Sequence, residues 1–169
     1  MESGVRPMGK SEKKQGEQKT NVMRLLEQAK IPYRHHCYVD TGAISGIEVA
    51  SVLGQNENRV FKTLVTVGKS GEHYVFVVPV NRELNLRKAA KAVNEKSVEM
   101  IKTKELLPLT GYIHGGCSPI GMKKQFVTVI DETAELFDSI IFSGGKIGYQ
   151  VELRPDDLAE ILPFTLADL

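Results

Sequence analysis

Three stretches of this chain carry residue types that could do chemistry. Lys62 stands inside the apolar run Val60-Phe-Lys-Thr-Leu-Val65, where strand alternation puts it on the face of Val60 and Leu64, opposite Phe61, Thr63 and Val65. Burying an ammonium there is costly unless it is paired, lowered in pKa or aimed into a pocket, so Lys62 either snorkels from an edge or serves a site. The second stretch is Gly115-Gly-Cys-Ser-Pro-Ile-Gly121. Gly115 and Gly116 lack a Cβ and can lie against a ligand, while Pro119 pushes Ser118 out of the helical region. A purely structural turn would read the same way. The third is Ser143-Gly-Gly-Lys-Ile-Gly148, which again couples small residues to a lysine but lacks the Gly-Lys-Ser/Thr order of a phosphate-binding P-loop.

Other reactive side chains carry weaker signals. His35 and His36 are adjacent on a strand-like run, so they point to opposite faces and do not chelate one metal together. Cys117 lies in the glycine loop without a partner base in the sequence and reads as a packing residue rather than a nucleophile. Arg82, Arg87, Lys88 and Lys91 make a small basic cluster, which is a solvated helix face unless it lies near a pocket.

The elements that must position these residues follow from periodicity and caps. Thr20 caps a helix with Val22, Leu25, Leu26 and Ala29 on one face, stopped by Pro32. Tyr33 to Val39 reads as a strand, and Ser45 with Glu48 forms a capping box for a short helix ending at Gly54. Val60 to Val67 and His73 to Val80 form a hairpin. Leu86, Ala89, Ala90 and Val93 trace one helix face. Ser97 to Ile101 is a short strand, and Thr103 caps a brief helix ending before Pro108. Beyond the first glycine loop come strands at 126–130, 139–142 and 149–153, a helical turn at 132–137, and a last helix that begins at Pro155. The interspersed order lacks a strict βαβ rhythm, which favours an α+β domain with a mixed sheet.

Composition bounds the function. The chain has 169 residues, 41% hydrophobic and 25% charged, with a net charge of +1, so nucleic-acid contact must be local rather than global. Two distant cysteines without ligand spacing give neither a disulfide framework nor a zinc site. No apolar run suits a membrane span or a signal peptide, so a cytoplasmic protein is expected. Residues 1–19 are polar and read as a flexible tail before a single domain at 20–169.

The three motifs Phe61-Lys62-Thr63-Leu64, Gly115-Gly-Cys-Ser-Pro-Ile-Gly121 and Ser143-Gly-Gly-Lys146, in this order and at these separations, resemble the YbaK family from about Thr20 to the C-terminus. That family is similar to the editing domain inserted in bacterial prolyl-tRNA synthetases. The resemblance implies a mixed, partly barrel-like β-sheet flanked by helices. It also implies a freestanding hydrolase that deacylates mischarged aminoacyl-tRNA, foremost cysteinyl-tRNA made in error on proline tRNA. No cofactor or metal is implied. The implied partner is the tRNA acceptor end, with prolyl-tRNA synthetase as a candidate to present it. Lys62 matches the family's essential strand lysine and Gly115 opens its Gly-x-x-x-Pro loop, which makes these two the catalytic candidates. Tyr38, Gly116, Ser118, Pro119, Gly144 and Lys146 are the substrate-binding candidates.

The cysteine-specific members of the family need no triad, because the substrate's own thiol is thought to attack its ester, whereas relatives that edit alanine must position a water. Ile147 replaces a frequent arginine of the second loop and Gln150 stands where some relatives have Asp. These departures leave the preferred amino acid open and keep alive an alanine-specific deacylase or a non-catalytic tRNA- or nucleotide-binding domain.

Overall fold

A computed structural model describes residues 18–169. The expected tail therefore falls largely outside the described residues. Its last two positions are tied down: the Gln18 N–H donates to the Tyr149 hydroxyl (2.9 Å) and Lys19 pairs with Glu27 (2.7 Å).

Two sheets organise the chain. The first is antiparallel, in the order β1 (Arg34–Cys37), β7 (Tyr149–Leu153), β6 (Ile140–Ser143). The second is mixed, in the order β4 (Val98–Met100), β2 (Phe61–Gly68), β3 (His73–Pro79), β5 (Val127–Asp131), β8 (Thr165–Ala167), with parallel pairing of β3 to β5 and of β5 to β8. A parallel bridge between Val60 and Ile141 joins the sheets and gives the partly barrel-like closure expected of this α+β fold.

The main core lies between the sheets. Val65 and Val77 face Phe142 and Val151 there, and the helix α1 (Asn21–Gln28) adds Val22, Met23 and Leu26. Thr20 caps α1 by accepting the Met23 N–H at 3.2 Å. The helix stops before Pro32: Lys30 turns left-handed (φ 60°) and the Ile31 N–H returns to the Leu26 carbonyl at 2.9 Å, which buries Ile31 and leaves Ala29 exposed. The other face of the five-stranded sheet packs Phe76 and Val78 against Ala89 and Ala90 of α3 (Leu86–Ala92). Leu86, expected on that face, is 41% exposed at the helix start.

Three further helices complete the described fold. Ser45 and Glu48 form the expected capping box of α2 (Gly46–Val52). The helix α4 (Thr103–Thr110) runs through Pro108 instead of ending before it, and its N-cap is Lys102, whose N–H donates to Glu105 at 3.0 Å. The proline frees only the Lys104 carbonyl in the exposed first turn, while the last turn is held by Thr110 to Leu106 (2.8 Å) and by the Gly111 N–H to Leu107 (2.8 Å). The helix α5 (Pro155–Leu158) starts at its proline with Asp156 and Asp157 in the first turn.

Candidate active site

Lys62 sits on β2 directly opposite Val78 of β3, half-buried. It shares a sheet face with Leu64, which packs beneath α3, and with Val60, which packs against Ala50 of α2, so it lies between the two helices. The only β2–β6 pairing among the described residues is the Val60–Ile141 bridge, and the next residues on the same face of the two strands are Lys62 and Ser143. Ser143 in turn faces Gln150 across β6 and β7. Gln150 is buried and exchanges two side-chain hydrogen bonds with Gln55, just past α2: the Gln55 amide N–H donates to Gln150 Oε1 at 2.8 Å and the Gln150 amide N–H to Gln55 Oε1 at 3.3 Å. The Lys62 ammonium makes no hydrogen bond or ion pair with any described residue. An unpaired, half-buried cation is available to an anion.

The two glycine turns close one end of this region. Gly115 has φ 90°, and the Gly116 N–H donates to Ile113 O at 2.9 Å. A Cβ on Gly116 would lie 3.0 Å from Ile147 N and 3.3 Å from Lys146 C, so the loops pack backbone to backbone and no larger residue fits without a shift. The second turn is the β6–β7 hairpin. The Ser143 hydroxyl accepts the Gly145 N–H (3.1 Å), the Gly144 N–H donates to Tyr149 O (2.9 Å), and the Tyr38 N–H donates to Gly148 O (2.7 Å). Ile147 lies over Gly115, whose added Cβ would meet its Cγ1 at 3.5 Å.

Gly115 and Gly116 thus meet the hairpin at Lys146 and Ile147, the Tyr38 backbone is tied to the same hairpin at Gly148, and Lys62 lies two residues along β2 from the Val60–Ile141 bridge. Three predicted polar contacts are placed otherwise than a bare motif suggests. The Ser118 side chain is buried, and its hydroxyl accepts the Ile120 N–H at 3.3 Å inside the loop. Pro119 is buried beside it. The exposed Lys146 ammonium reaches Gln18 at 2.5 Å, and the Tyr38 ring is buried. Thr63 was not singled out from sequence; it follows Lys62 in β2 but lies on the opposite face of the sheet, and its hydroxyl is buried without a partner. A threonine on a strand gives no such signal, and neither does Gln55, which sits far from Gln150 in the chain.

Electrostatics separates reactive from inert groups. Burial pushes the Cys117 thiol up to about 12, so it stays protonated at neutral pH. Burial, helped by Cys117, likewise raises the Tyr112 phenol to about 12, and its hydroxyl donates to Ile120 O at 2.5 Å to brace the loop. The two histidines diverge as strand geometry requires: His36 bonds Glu152 at 2.8 Å while His35 is on the opposite face. That bond, aided by Ser139, outweighs burial and holds the Glu152 carboxyl at about 2.

The sequence profile of the aminoacyl-tRNA editing domain matches residues 43–161, which contain Lys62 and both glycine turns. The chain belongs to this aminoacyl-tRNA editing domain family. Among its relatives is an Enterococcus faecalis protein provisionally named Cys-tRNA(Pro)/Cys-tRNA(Cys) deacylase EbsC, 47% identical over 158 residues, or 93% of this chain and 96% of that protein. A proline–tRNA ligase of Pelobacter propionicus is 32% identical over 84 residues, half of this chain but 15% of the ligase. The editing-domain fold also matches a solved structure provisionally described as a trans-editing enzyme for prolyl-tRNA synthetase. The TM-score is 0.76 at 24% identity, covering 88% of this chain and 93% of that one. The editing-domain profile begins after β1, so α1 and Tyr38 lie outside the matched segment.

Proposed function

We propose that this protein is a freestanding aminoacyl-tRNA deacylase that clears mischarged tRNA, with cysteinyl-tRNA for proline as its foremost substrate. The supporting observation is an unpaired, half-buried ammonium, Lys62, two residues from the Val60–Ile141 bridge, together with two glycine turns that pack on each other, in a chain of the editing-domain family. The near full-length similarity to the provisionally named deacylase supports the choice of cysteine.

In this reading Lys62 holds the phosphate of the terminal adenosine as a point charge. The turn at Gly115 lets the aminoacyl ester approach the backbone. The substrate's own thiol loses its proton to the leaving 3′-oxygen and attacks the ester carbonyl. A C–S bond forms, the C–O bond to ribose breaks, and the resulting thiolactone is hydrolysed by water. The protein contributes orientation and electrostatics, and no nucleophile of its own is required. Cys117, buried and protonated, is consistent with that division of labour. The protein works in the cytoplasm, and a synthetase presents the tRNA.

Release of labelled amino acid from cysteinyl- and alanyl-tRNA for proline, by wild type and Lys62→Ala, tests the reading. Fast, Lys62-dependent loss of cysteine is expected. A preference for alanine would replace the thiol by a positioned water. Release of neither would leave a non-catalytic binding domain, an alternative kept in view by the uncharged Ile147 and Gln150.

A further inference from the structure

The helix α3 packs Ala89 and Ala90 inward and leaves a cationic side free. Arg87, Lys91 and Lys96 line an open groove of about 760 Å³ between α3 and β4, floored by Ala90 and Val98. None of the three cations bonds or pairs with any described residue. The neighbouring Lys88, by contrast, is engaged with Asp168 at 2.8 Å. The carboxylate of the groove, Glu95, is turned to the β2–β3 connection, where the Ser70 N–H, the Ser70 hydroxyl and the Tyr74 hydroxyl all donate to it. Free positive charge therefore dominates a channel in a molecule whose net charge is only +1.

We propose that this groove binds the phosphate backbone of the tRNA acceptor stem, as a second RNA contact apart from the cleft at Lys62. The inference rests on the deacylase reading for its ligand. Charge complementarity is one argument. Arg87 and Lys91 are four residues apart on a helix, about 5–6 Å between Cβ atoms, a spacing that presents two cations to successive phosphates.

Continuity with the cleft is the other. Lys62 and the groove share one face of the five-stranded sheet, because Leu64 and Phe76, next along that face, pack beneath α3. Gly68 pairs with Val98 in the groove floor and lies six steps along β2 from Lys62, a run of about 20 Å at ~3.3 Å per residue. An RNA whose 3′ end enters at Lys62 reaches the groove within a few nucleotides. An acidic protein surface would be drawn by the same charge, but it has no reason to be continuous with the cleft.

Binding of fluorescein-labelled, uncharged tRNA to the full chain tests this without requiring turnover. The triple variant Arg87→Ala/Lys91→Ala/Lys96→Ala should weaken binding by ~10-fold or more and lower the slope of log K against log salt by about 2 to 3, near 0.7–0.9 per lost phosphate contact. A control with equal charge loss, Lys102→Ala/Lys104→Ala/Lys123→Ala, should leave both values near wild type. Unchanged affinity and slope in the groove variant, or equal losses in the control, would overturn the proposal. So would a defect confined to association with a synthetase. Far-UV circular dichroism checks that each variant is folded. If wild type binds tRNA through the groove yet releases no amino acid, the deacylase reading fails while this one stands.

Discussion

Lys62 and Cys117 are opposite cases of a reactive side chain in an apolar setting. The lysine is half-buried with no bonding partner among the described residues, and the thiol is buried with its pKa pushed up to about 12. Removing a cation without a bonding partner breaks no contact of the fold, so Lys62→Ala should leave the melting temperature near wild type while deacylation falls ~10²-fold or more. Parallel loss of activity and folding would instead make Lys62 a structural residue. At Cys117 the expectation reverses: iodoacetamide at pH 8 should leave it unmodified in the folded protein, and Cys117→Ala should retain most activity. Rapid alkylation with loss of turnover would reinstate it as a nucleophile. The oddity of Lys62 was legible in the sequence because alternation alone put it among Val60 and Leu64. Its lack of a partner was not, since that depends on which side chains α2 and α3 bring to the same face.

The glycine turns act as a pair of elements rather than as single residues. Gly116 is the point where they touch, and a methyl there meets the backbone of Lys146 and Ile147 instead of a side chain that could rotate away. Gly116→Ala should therefore destabilise by about 1–3 kcal/mol, the usual cost of overpacking, and lower the melting point by several degrees in a thermal scan. An unshifted transition would show the loops to be separable. Gly115 differs, because its added Cβ makes only ordinary contact with Ile147 but its φ of 90° strains any other residue. Gly115→Leu should spare the overall fold and abolish turnover by filling the approach to the turn. Each loop was visible in the sequence as a glycine cluster; their contact was not, because the 21 residues 122–142, with a strand and a helical turn, intervene. The same limit explains α4, where Pro108 looked like a stop but costs only one exposed carbonyl.

Across the whole molecule the sheets are pinned by a few long-range polar contacts, and one of them sets an acid limit. His36 and Ser139 donate to Glu152, whose pKa falls from 4.5 to about 2. A carboxyl depressed in the folded state binds fewer protons than in the unfolded chain, so it contributes stability fully above pH ~4.5 that is lost as pH falls toward 2. Urea unfolding at several pH values should show that loss, and Glu152→Gln should flatten it; an unchanged profile would remove the ion pair from the account. The amino-acid sequence by itself determined the α+β class, the caps at Thr20 and Ser45, the β2–β3 hairpin and the two glycine turns. These depend on neighbours a few residues apart, through periodicity, backbone freedom and local hydrogen bonds. Only the tertiary structure decided that β2 meets β6 at Val60 and Ile141, that Gln55 satisfies Gln150, that Ser118 turns inward and that Arg87, Lys91 and Lys96 border one groove. Those outcomes hang on the register of strands far apart in the chain, where one residue of slip would exchange every inward and outward side chain.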